Sequence, residues 1–383
     1  MLSKFTVKNF KNFEKAFCID FSQTQSYEFS QDCVKNGIVK TGLIYGPNSI
    51  GKSNLGKAIF DIIKTVTDKE TIPELYKSYQ NALRPKDPTE FQYEFSFNKV
   101  ELVYNYKKAD YENVLEEKLF IDHQLVLSRS NDRFSTELEG LETLKRDLPP
   151  NISALRFIRT NGTLSDNSQN AIVQEFFDFV DRMLMVQHLG RSKSYKLCPY
   201  QGYLLGPQPV GTNILQKGKL KELEDFLNLV EVKCKLTSQP FNGVDKIYFD
   251  FNGNKIEFFE NASNGTKSLA HFFFWYLEAK EDSAVTPSFI YFDEFDAFYH
   301  EKTAETVVKK LRELDCQVIL TTHDSNLLSN ELLRPDCGFN MTEEYRNTEE
   351  DKTYVLGPLS SVVKKELREA HNIPKMFRAK TFG

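Results

Sequence analysis

Eight consecutive residues constrain the fold of this chain more than any other feature: Gly46-Pro47-Asn48-Ser49-Ile50-Gly51-Lys52-Ser53. They match the pattern G-x-x-x-x-G-K-S, in which backbone amides surround phosphate groups, the lysine reaches the outer phosphates and the last hydroxyl binds Mg²⁺. The apolar run at residues 42–45 predicts a strand before the loop, and apolar residues at helical spacing from 55 to 66 predict a helix after it. The positive end of that helix would face a bound anion. The sequence therefore predicts a phosphate-binding loop in an α/β sheet.

Two later apolar runs each end in polar residues of a kind that acts on phosphates. Residues 288–292 are followed by Asp293 and Glu294, and residues 316–322 by His323. In open α/β sheets nucleotides bind beyond the carboxyl ends of the strands. We expect Asp293 to complete the Mg²⁺ shell, Glu294 to polarise the attacking water and His323 to sense the γ-phosphate. The predicted catalytic residues are Glu294, His323 and Lys52, and the predicted metal ligands are Ser53 and Asp293.

A further segment, residues 261–269, supplies hydroxyls, a glycine and the start of an apolar helix. A helix start of this kind can bind an anion through its free backbone amides. The phosphate loop and this segment together give the predicted nucleotide contacts: Gly46, Pro47, Asn48, Ser49, Ile50, Gly51, Lys52, Ser53, Asn54, Ser263, Gly265 and Thr266.

The composition is that of a globular protein that is neither disordered nor embedded in a membrane. The 383 residues carry a net charge of −5, with 27% charged and 40% hydrophobic residues, which excludes a globally basic nucleic-acid-binding protein. The longest apolar run, residues 269–277, is about half of the ~20 residues that a transmembrane helix needs. Lys4 and Lys8 precede any apolar run of signal-peptide length, so we expect a cytoplasmic protein without a membrane partner. Six cysteines without a C-x-x-C pair predict reduced thiols.

Changes of hydrophobic periodicity divide the chain into parts. Period-two alternation over residues 89–128 predicts antiparallel strands, whereas residues 171–188 and 220–230 have helical spacing. An Asn252-Gly253 turn between two alternating runs predicts a hairpin. We expect four parts: the N-terminal part of the core at 1–69, an insert with a β lobe followed by a helical region at 70–240, the C-terminal part of the core at 241–335, and a tail at 336–383.

The order of the motifs resembles that of ABC-type ATPases, with the phosphate loop first, then an S-x-G-T signature, an Asp-Glu strand and a His switch. Within that superfamily the chain resembles the SMC, RecF and OLD group, because it opens with Val7-Lys8-Asn9-Phe10-Lys11-Asn12-Phe13 and carries the G-P-N-x-x-G-K-S variant. The run Asp293-Glu294-Phe295-Asp296-Ala297-Phe298-Tyr299-His300 has a His where OLD-type proteins commonly carry one. The tail, residues 371–383, resembles the ending of stand-alone OLD-type ATPases such as RloA, which act in bacterial anti-phage defence.

The resemblance implies an α/β fold: an ABC-type P-loop ATPase head with a mixed or parallel sheet, an antiparallel β lobe and a helical insert. It also implies that ATP and Mg²⁺ bind, and that two subunits enclose two ATP molecules head to tail, the signature of each closing on the nucleotide of the other. After His323 about 60 residues remain, too few for the TOPRIM nuclease domain of OLD nucleases. We therefore expect a homodimer or higher homo-oligomer that controls a separate effector, either a toxin or a nuclease.

Other functions remain open from the sequence. A RecF-like DNA-repair ATPase would act as an ATP-gated DNA clamp, and the basic, aromatic segment 190–196 could contact DNA phosphates. A transporter motor would need a membrane partner and a glutamine loop, whereas Gln92 falls on a predicted strand. A GTPase would need an N-K-x-D motif, to which Asn98-Lys99-Val100-Glu101 is only a near match. By position, Lys11 and Asn12 are the candidates for contacting adenine.

Overall fold

A computed structural model describes residues 1–69, 76–187, 200–202, 209–281, 286–345, 352–362 and 368–379. The segment 190–196 and Cys198, both considered above, lie outside these residues. Within the described ranges no helix is long and apolar enough to cross a membrane. The described chain forms two seven-stranded sheets, a three-stranded sheet and a two-stranded ribbon.

The central sheet carries the phosphate loop. Its strand order is β12-β11-β16-β17-β5-β18-β19; the five inner strands run parallel to one another, whereas the edge strands β12 and β19 are antiparallel to their neighbours. The strands β5, β16 and β17 are almost entirely buried apolar runs, as expected where helices cover both faces of a parallel sheet. The strands are β5 Thr41–Tyr45, β11 Met183–Gln187, β12 Tyr200–Gly202, β16 Phe289–Asp293, β17 Gln317–Thr322, β18 Gly338–Tyr345 and β19 Lys352–Pro358.

The second large sheet is antiparallel, in the order β10-β9-β8-β7-β6-β1-β2. Every second residue of β6 is buried, so one face of this sheet packs on the core and the other faces solvent, which confirms the strands predicted from period-two alternation. The strands are β1 Leu2–Lys8, β2 Phe17–Asp20, β6 Thr89–Phe97, β7 Val100–Lys108, β8 Val114–Ile121, β9 Gln124–Ser130 and β10 Arg133–Thr136; the short ribbon is β3 Val34–Lys35 with β4 Ile38–Val39.

The small sheet confirms the predicted hairpin. Asn252 and Gly253 have φ of 54° and 93°, the left-handed values that a two-residue hairpin turn requires, and they connect two antiparallel strands. The strands are β13 Leu236–Phe241, β14 Val244–Phe251 and β15 Asn254–Glu257.

The helices confirm two of the four helical predictions and correct the other two. The single helix predicted over residues 55–66 is two helices, Lys52–Ile59 and Asp61–Val66. The apolar run 269–277 lies inside the buried helix α8, and residues 220–229 form α6. The run 171–188, in contrast, is helical only to Asp181, after which β11 begins at Met183. A short apolar run fits a buried helix or a buried strand equally well, and pairing with β16 decides here for the strand. The helices are α1 Lys52–Ile59, α2 Asp61–Val66, α3 Ala154–Asn161, α4 Ser168–Asp181, α5 Val210–Gln216, α6 Leu220–Leu229, α7 Phe258–Asn261, α8 Asn264–Lys280, α9 Glu301–Arg312, α10 Leu359–Val362 and α11 Ile373–Arg378.

Buried polar side chains join the two large sheets. The amide of Gln317, at the start of β17, donates to the carbonyls of Leu2 and Val39, and its oxygen accepts from the Leu2 amide. Asp61, at the start of α2, accepts hydrogen bonds from Lys108 and Tyr106 of the antiparallel sheet. Residues 70–240 contribute strands to both large sheets, β6 to β10 to the antiparallel sheet and β11 and β12 to the central sheet. The domain boundaries proposed from sequence remain a prediction.

Candidate nucleotide site

Three parallel strands bring the predicted polar residues to one edge of the central sheet. Tyr45, the last residue of β5, lies opposite Thr322, the last residue of β17, and β16 is the next strand on that side. Parallel neighbours end at the same edge, so the residues that follow them meet there. These are Gly46 after β5, Glu294 after β16 and His323 after β17.

The phosphate loop requires glycine where Asn12 packs against it. Gly51 has a φ of 117°, and a Cβ on it would lie 2.4 Å from Asn12 Nδ2. The Asn12 amide donates to the Ile50 carbonyl at 3.2 Å, and its oxygen accepts from Asn54 Nδ2 at 2.7 Å. Asn12, one of the two residues expected near adenine, therefore contacts the loop directly.

Lys52 is buried at the centre of the site, with 4% of its surface exposed. Its Nζ donates to the carbonyls of Gly46 at 2.6 Å and Pro47 at 2.9 Å, and lies 3.0 Å from His323 Nδ1. Burial lowers the pKa of Lys52 to about 8, against the opposing effect of nearby carboxylates, the largest being that of Asp293. The ammonium group is thus hydrogen-bonded to two backbone carbonyls of the phosphate loop.

Helix α1 is seated tightly on β16. Tyr291 is fully buried, and its hydroxyl donates to the Lys52 carbonyl at 2.7 Å. A Cβ on Gly56 would lie only 2.6 Å from the Tyr291 ring, so glycine is needed for this close approach. The contact fixes the helix start relative to the strand that carries Asp293.

Asp293 and Ser53 form an oxygen-rich pair. Asp293 has 7% of its surface exposed, its Oδ1 accepts from the Thr321 hydroxyl at 3.0 Å, and it is also hydrogen-bonded to Ser53. Burial raises the pKa of Asp293 above its usual range, because a carboxylate loses solvation there. Carboxylate and hydroxyl oxygens are the ligands that Mg²⁺ prefers, so the donor set fits this ion.

Glu294 turns away from the strand. Its φ of 51° lies in the left-handed region, which for a residue other than glycine costs on the order of 1–3 kcal/mol. The Glu294 amide donates to the Thr321 hydroxyl oxygen at 2.7 Å, which stabilises this backbone. The Glu294 carboxylate lies 3.4 Å from His323 Nε2, while His323 Nδ1 lies 3.1 Å from the Gly46 carbonyl. His323 thus bridges the phosphate loop and the carboxylate.

The loop after β16 contacts both Thr322, which precedes His323, and helix α8. The Thr322 hydroxyl donates to Asp296 Oδ2 at 2.6 Å and accepts from the Asp324 amide at 2.8 Å. Burial raises the pKa of Asp296. At the other end of the loop, the hydroxyls of Tyr299 and Ser268 are 2.7 Å apart. His300, which resembles the OLD-type histidine, is exposed at the N-cap of α9.

The signature segment lies at the start of α8, where its side chains bond each other. Ser263 is the N-cap, its Oγ accepts from the Thr266 amide at 3.2 Å, and the two hydroxyls are 2.9 Å apart. A Cβ on Gly265 would lie 3.1 Å from the Phe298 carbonyl. Among the described residues, no hydrogen bond links Ser263 or Thr266 to the loop 46–53. The chain therefore brings together Lys52, Ser53, Asp293, Glu294 and His323, but not the signature.

The structure adds Gln187, which sequence reasoning missed. Gln187 ends β11, and its Cα pairs in register with that of Asp293. It lines a cavity of about 40 Å³ together with Ser268, His271, Asp293 and Glu294. The signal was present, because the apolar run 183–186 ends in a polar residue, as the runs before Asp293 and His323 do.

Gln92, in contrast, lies on β6 and donates to Glu94 at 2.7 Å, as a surface strand residue.

A larger cavity of about 220 Å³ lies on the Asn12 side of the phosphate loop. It is open between the turn after β1 and the hairpin strand β19, and Lys11 is not among the residues that line it. The Lys11 Nζ instead donates to the Lys77 carbonyl at 2.7 Å. The lining residues are Asn12, Phe13, Glu14, Lys15, Phe17, Asn81, Leu83, Lys352, Thr353 and Tyr354.

Comparison with solved structures shows the fold. An SMC head bound to the C-winged helix domain of ScpA shares 16% identity at a TM-score of 0.50, covering 94% of this chain and 99% of that one. The SMC head domain from Thermotoga maritima shares 15% identity at a TM-score of 0.45, covering 93% and 98%. The predicted α/β ABC-type head is thus confirmed as a fold. No curated protein matches the chain.

Comparison with family profiles shows the family. The profile described as "AAA domain, putative AbiEii toxin, Type IV TA system" (AAA_21) matches residues 43–329, about three quarters of the chain. The match begins in β5, before the phosphate loop, and ends after His323, so it includes every residue that the sheet edge brings together. The finer resemblance to OLD-type proteins stays a prediction. The geometry and the profile agree that this chain is a P-loop ATPase, a member of the AAA_21 family.

Proposed function

We propose that this chain binds ATP with Mg²⁺, closes head to tail on a second copy, hydrolyses the ATP, and uses that cycle to control a partner effector. The observation that carries the proposal is the convergence of Lys52, Glu294 and His323 at one edge of the central sheet. The three side chains are a cation, a carboxylate and an imidazole. His323 lies between the other two, 3.0 Å from Lys52 Nζ and 3.4 Å from the Glu294 carboxylate.

The phosphate loop would bind the triphosphate through its backbone amides, and Lys52 would exchange its two carbonyl partners for phosphate oxygens. The carbonyls are neutral whereas phosphate oxygens are negatively charged, so the exchange adds the attraction of opposite charges and favours binding. The base would extend towards Asn12 and the cavity of about 220 Å³ beside it, which has room for a purine.

Mg²⁺ would be held by the Ser53 hydroxyl and the Asp293 carboxylate, with the Gln187 amide oxygen as a further donor or as a ligand of the attacking water. Bound there, the ion would neutralise charge on the phosphates. Thr321 orients Asp293 by its hydrogen bond, and Gln187 reaches the site because β11 ends in register with β16. These assignments rest on donor chemistry and strand register.

Glu294 would act as the base that orients and activates water. Its carboxylate is about 40% exposed and stands beyond the strand end, where a water molecule can reach it. His323, which contacts both the loop carbonyl and Glu294, would detect the γ-phosphate and hold the water-binding geometry. The left-handed backbone at Glu294 aims the carboxylate at this position.

The dimer follows from what one chain lacks. The amides and hydroxyl at the start of α8 suit an anion, but within the described residues no hydrogen bond joins them to the phosphate loop, and Ser263 and Asn264 are exposed. In a head-to-tail dimer the start of α8 of one subunit would close on the nucleotide of the other. The added contacts exist only with the γ-phosphate present, so ATP favours the closed state and hydrolysis releases it.

The partner role is supported by the solved SMC head, which holds a winged-helix domain of another protein. The family description connects the matching domain with type IV toxin–antitoxin systems. A head of this fold can therefore hold a protein partner. We place the switch in bacterial anti-phage defence, with a toxin or nuclease as the partner.

The test is to purify tagged Glu294→Gln protein from its host in the presence of ATP and Mg²⁺ and to identify the molecules that bind it. Lys52→Ala, which should not bind nucleotide, is the matched control. We expect a stoichiometric protein of toxin or nuclease character with Glu294→Gln and its loss with Lys52→Ala. Recovery of DNA without a protein partner, lost at high salt, would contradict the effector role and support the RecF-like clamp.

A further inference from the structure

The C-terminal residues 368–379 pack against the segment that follows His323. Helix α11 contacts the 3-10 turn Ser325–Leu327, which begins two residues after His323, and α9 contacts the same turn from another direction. Ile373 of α11 has 1% of its surface exposed and Leu327 of the turn has 0%, and both belong to the hydrophobic core. The turn is therefore enclosed between two helices, of which α11 comes from the end of the described chain.

A single buried amide fastens this C-terminal segment. Asn330, with 6% of its surface exposed, donates from Nδ2 to the carbonyls of Arg368 at 2.8 Å, Glu369 at 3.2 Å and His371 at 3.2 Å. The same segment closes on itself, because the Asn372 side chain accepts from the Lys375 amide. A buried amide without a partner is costly, so Asn330 favours the position of the segment in which its Nδ2 reaches these carbonyls.

The 3-10 turn also fixes the backbone next to His323. Asp324 accepts from the Asn326 amide at 2.9 Å, and its own amide donates to the Thr322 hydroxyl at 2.8 Å. The His323 ring lies 3.0 Å from Lys52 Nζ, 3.1 Å from the Gly46 carbonyl and 3.4 Å from the Glu294 carboxylate. The ring can make these three contacts only from one backbone position, and the packing of the turn holds that backbone.

We infer that residues 368–379, fastened by Asn330, form a brace that positions His323 for ATP hydrolysis. Asn330 is then a positioning residue, which acts through the turn and touches neither nucleotide nor water. The inference rests on the proposed role of His323 and goes beyond it, because it makes hydrolysis depend on a segment outside the family match, which ends at residue 329. Nucleotide binding by the phosphate loop would not depend on the brace.

The test compares kcat and KM for ATP in the full chain, its Asn330→Ala variant and a matched control, Asn170→Ala. Asn170 is likewise a buried asparagine whose amide donates to two carbonyls, of Glu139 and Ser165, but it lies in α4. We expect Asn330→Ala to lower kcat about fivefold or more with KM changed less than about twofold, and Asn170→Ala to change neither.

A second measurement separates positioning from general destabilisation. The rate of hydrolysis is measured in single turnovers with excess protein, for His323→Ala and for the double variant His323→Ala/Asn330→Ala. The two rates should be equal, because the imidazole that Asn330 positions is absent from both. If Asn330→Ala does not fold, Ile373→Ala weakens the apolar packing of α11 instead and leaves the Asn330 hydrogen bonds in place. An unchanged kcat in Asn330→Ala would contradict the inference. So would a fall in the hydrolysis rate that is equally large with and without the His323 side chain. A wild-type rate in His323→Ala alone would instead contradict the proposed function.

Discussion

The edge of the central sheet and the start of α8 were both predicted to bind nucleotide, but their states in the single chain differ. At the sheet edge, Lys52, His323 and Glu294 already lie in one connected set of contacts. At the start of α8, the hydroxyls of Ser263 and Thr266 bond each other; Ser263 is exposed, whereas Thr266 is buried. Under the proposed function, the catalytic half of the site would be preformed within one chain, whereas the signature half would need a second copy to act.

The largest expected effect is on the chemical step at the sheet edge. Glu294→Gln should lower kcat by about 10²–10⁴-fold, because the amide cannot take a proton from water, while ATP affinity remains. Single-turnover hydrolysis together with nucleotide binding measures both. Hydrolysis at the wild-type rate would show that Glu294 is not the base and that this half of the site is not catalytic.

Removing the central cation should weaken binding at the sheet edge alone. Lys52→Ala should lower ATP affinity by about 100-fold, since a charge-assisted contact to the phosphates is lost from a buried position. Isothermal titration of ATP measures the change, and thermal unfolding without ATP serves as the control for folding. Unchanged affinity would mean that the phosphates bind elsewhere.

A Gln187 variant tests whether the end of β11 belongs to the preformed half of the site. Gln187→Ala should lower kcat about tenfold and raise the Mg²⁺ concentration that half-saturates hydrolysis, because its amide lies next to Asp293 in register. Gln92→Ala, on the outer face of β6, is the matched control and should change neither. If both variants behave alike, the end of β11 is not part of the site.

The smallest predicted effect is a pH dependence. Burial lowers the pKa of Lys52 to about 8 in the nucleotide-free chain, so the ammonium form is complete below that pH and is lost as pH rises through it. Bound phosphate favours the ammonium form, so ATP affinity should fall about threefold between about pH 7.5 and 8.5. In Lys52→Arg, which stays charged, the affinity should be flat across this interval. An equal fall in both proteins would assign the dependence to another group.

How much the sequence could predict depended on whether its signals were local. The phosphate loop, the strands before Asp293 and His323, and the Asn252-Gly253 turn were correctly predicted, because each is a short pattern with few alternatives. The strand at 183–187 was missed, because a short apolar run after a helix has the same composition as more helix, and only pairing with β16 makes it a strand. Gln187 was lost with it. The Asn330 contacts join residues about forty positions apart and leave no local pattern.

The division of the site between two chains is tested most directly by mixing two inactive proteins. Lys52→Ala has an intact signature, and Ser263→Arg, altered at an exposed position, has an intact sheet edge. In an equimolar mixture, half of randomly formed dimers are mixed, and each mixed dimer has one complete site of two. The account predicts recovery of about a quarter of the wild-type ATPase rate. Full activity of Ser263→Arg alone, or no recovery in the mixture while both proteins still dimerise, would contradict it.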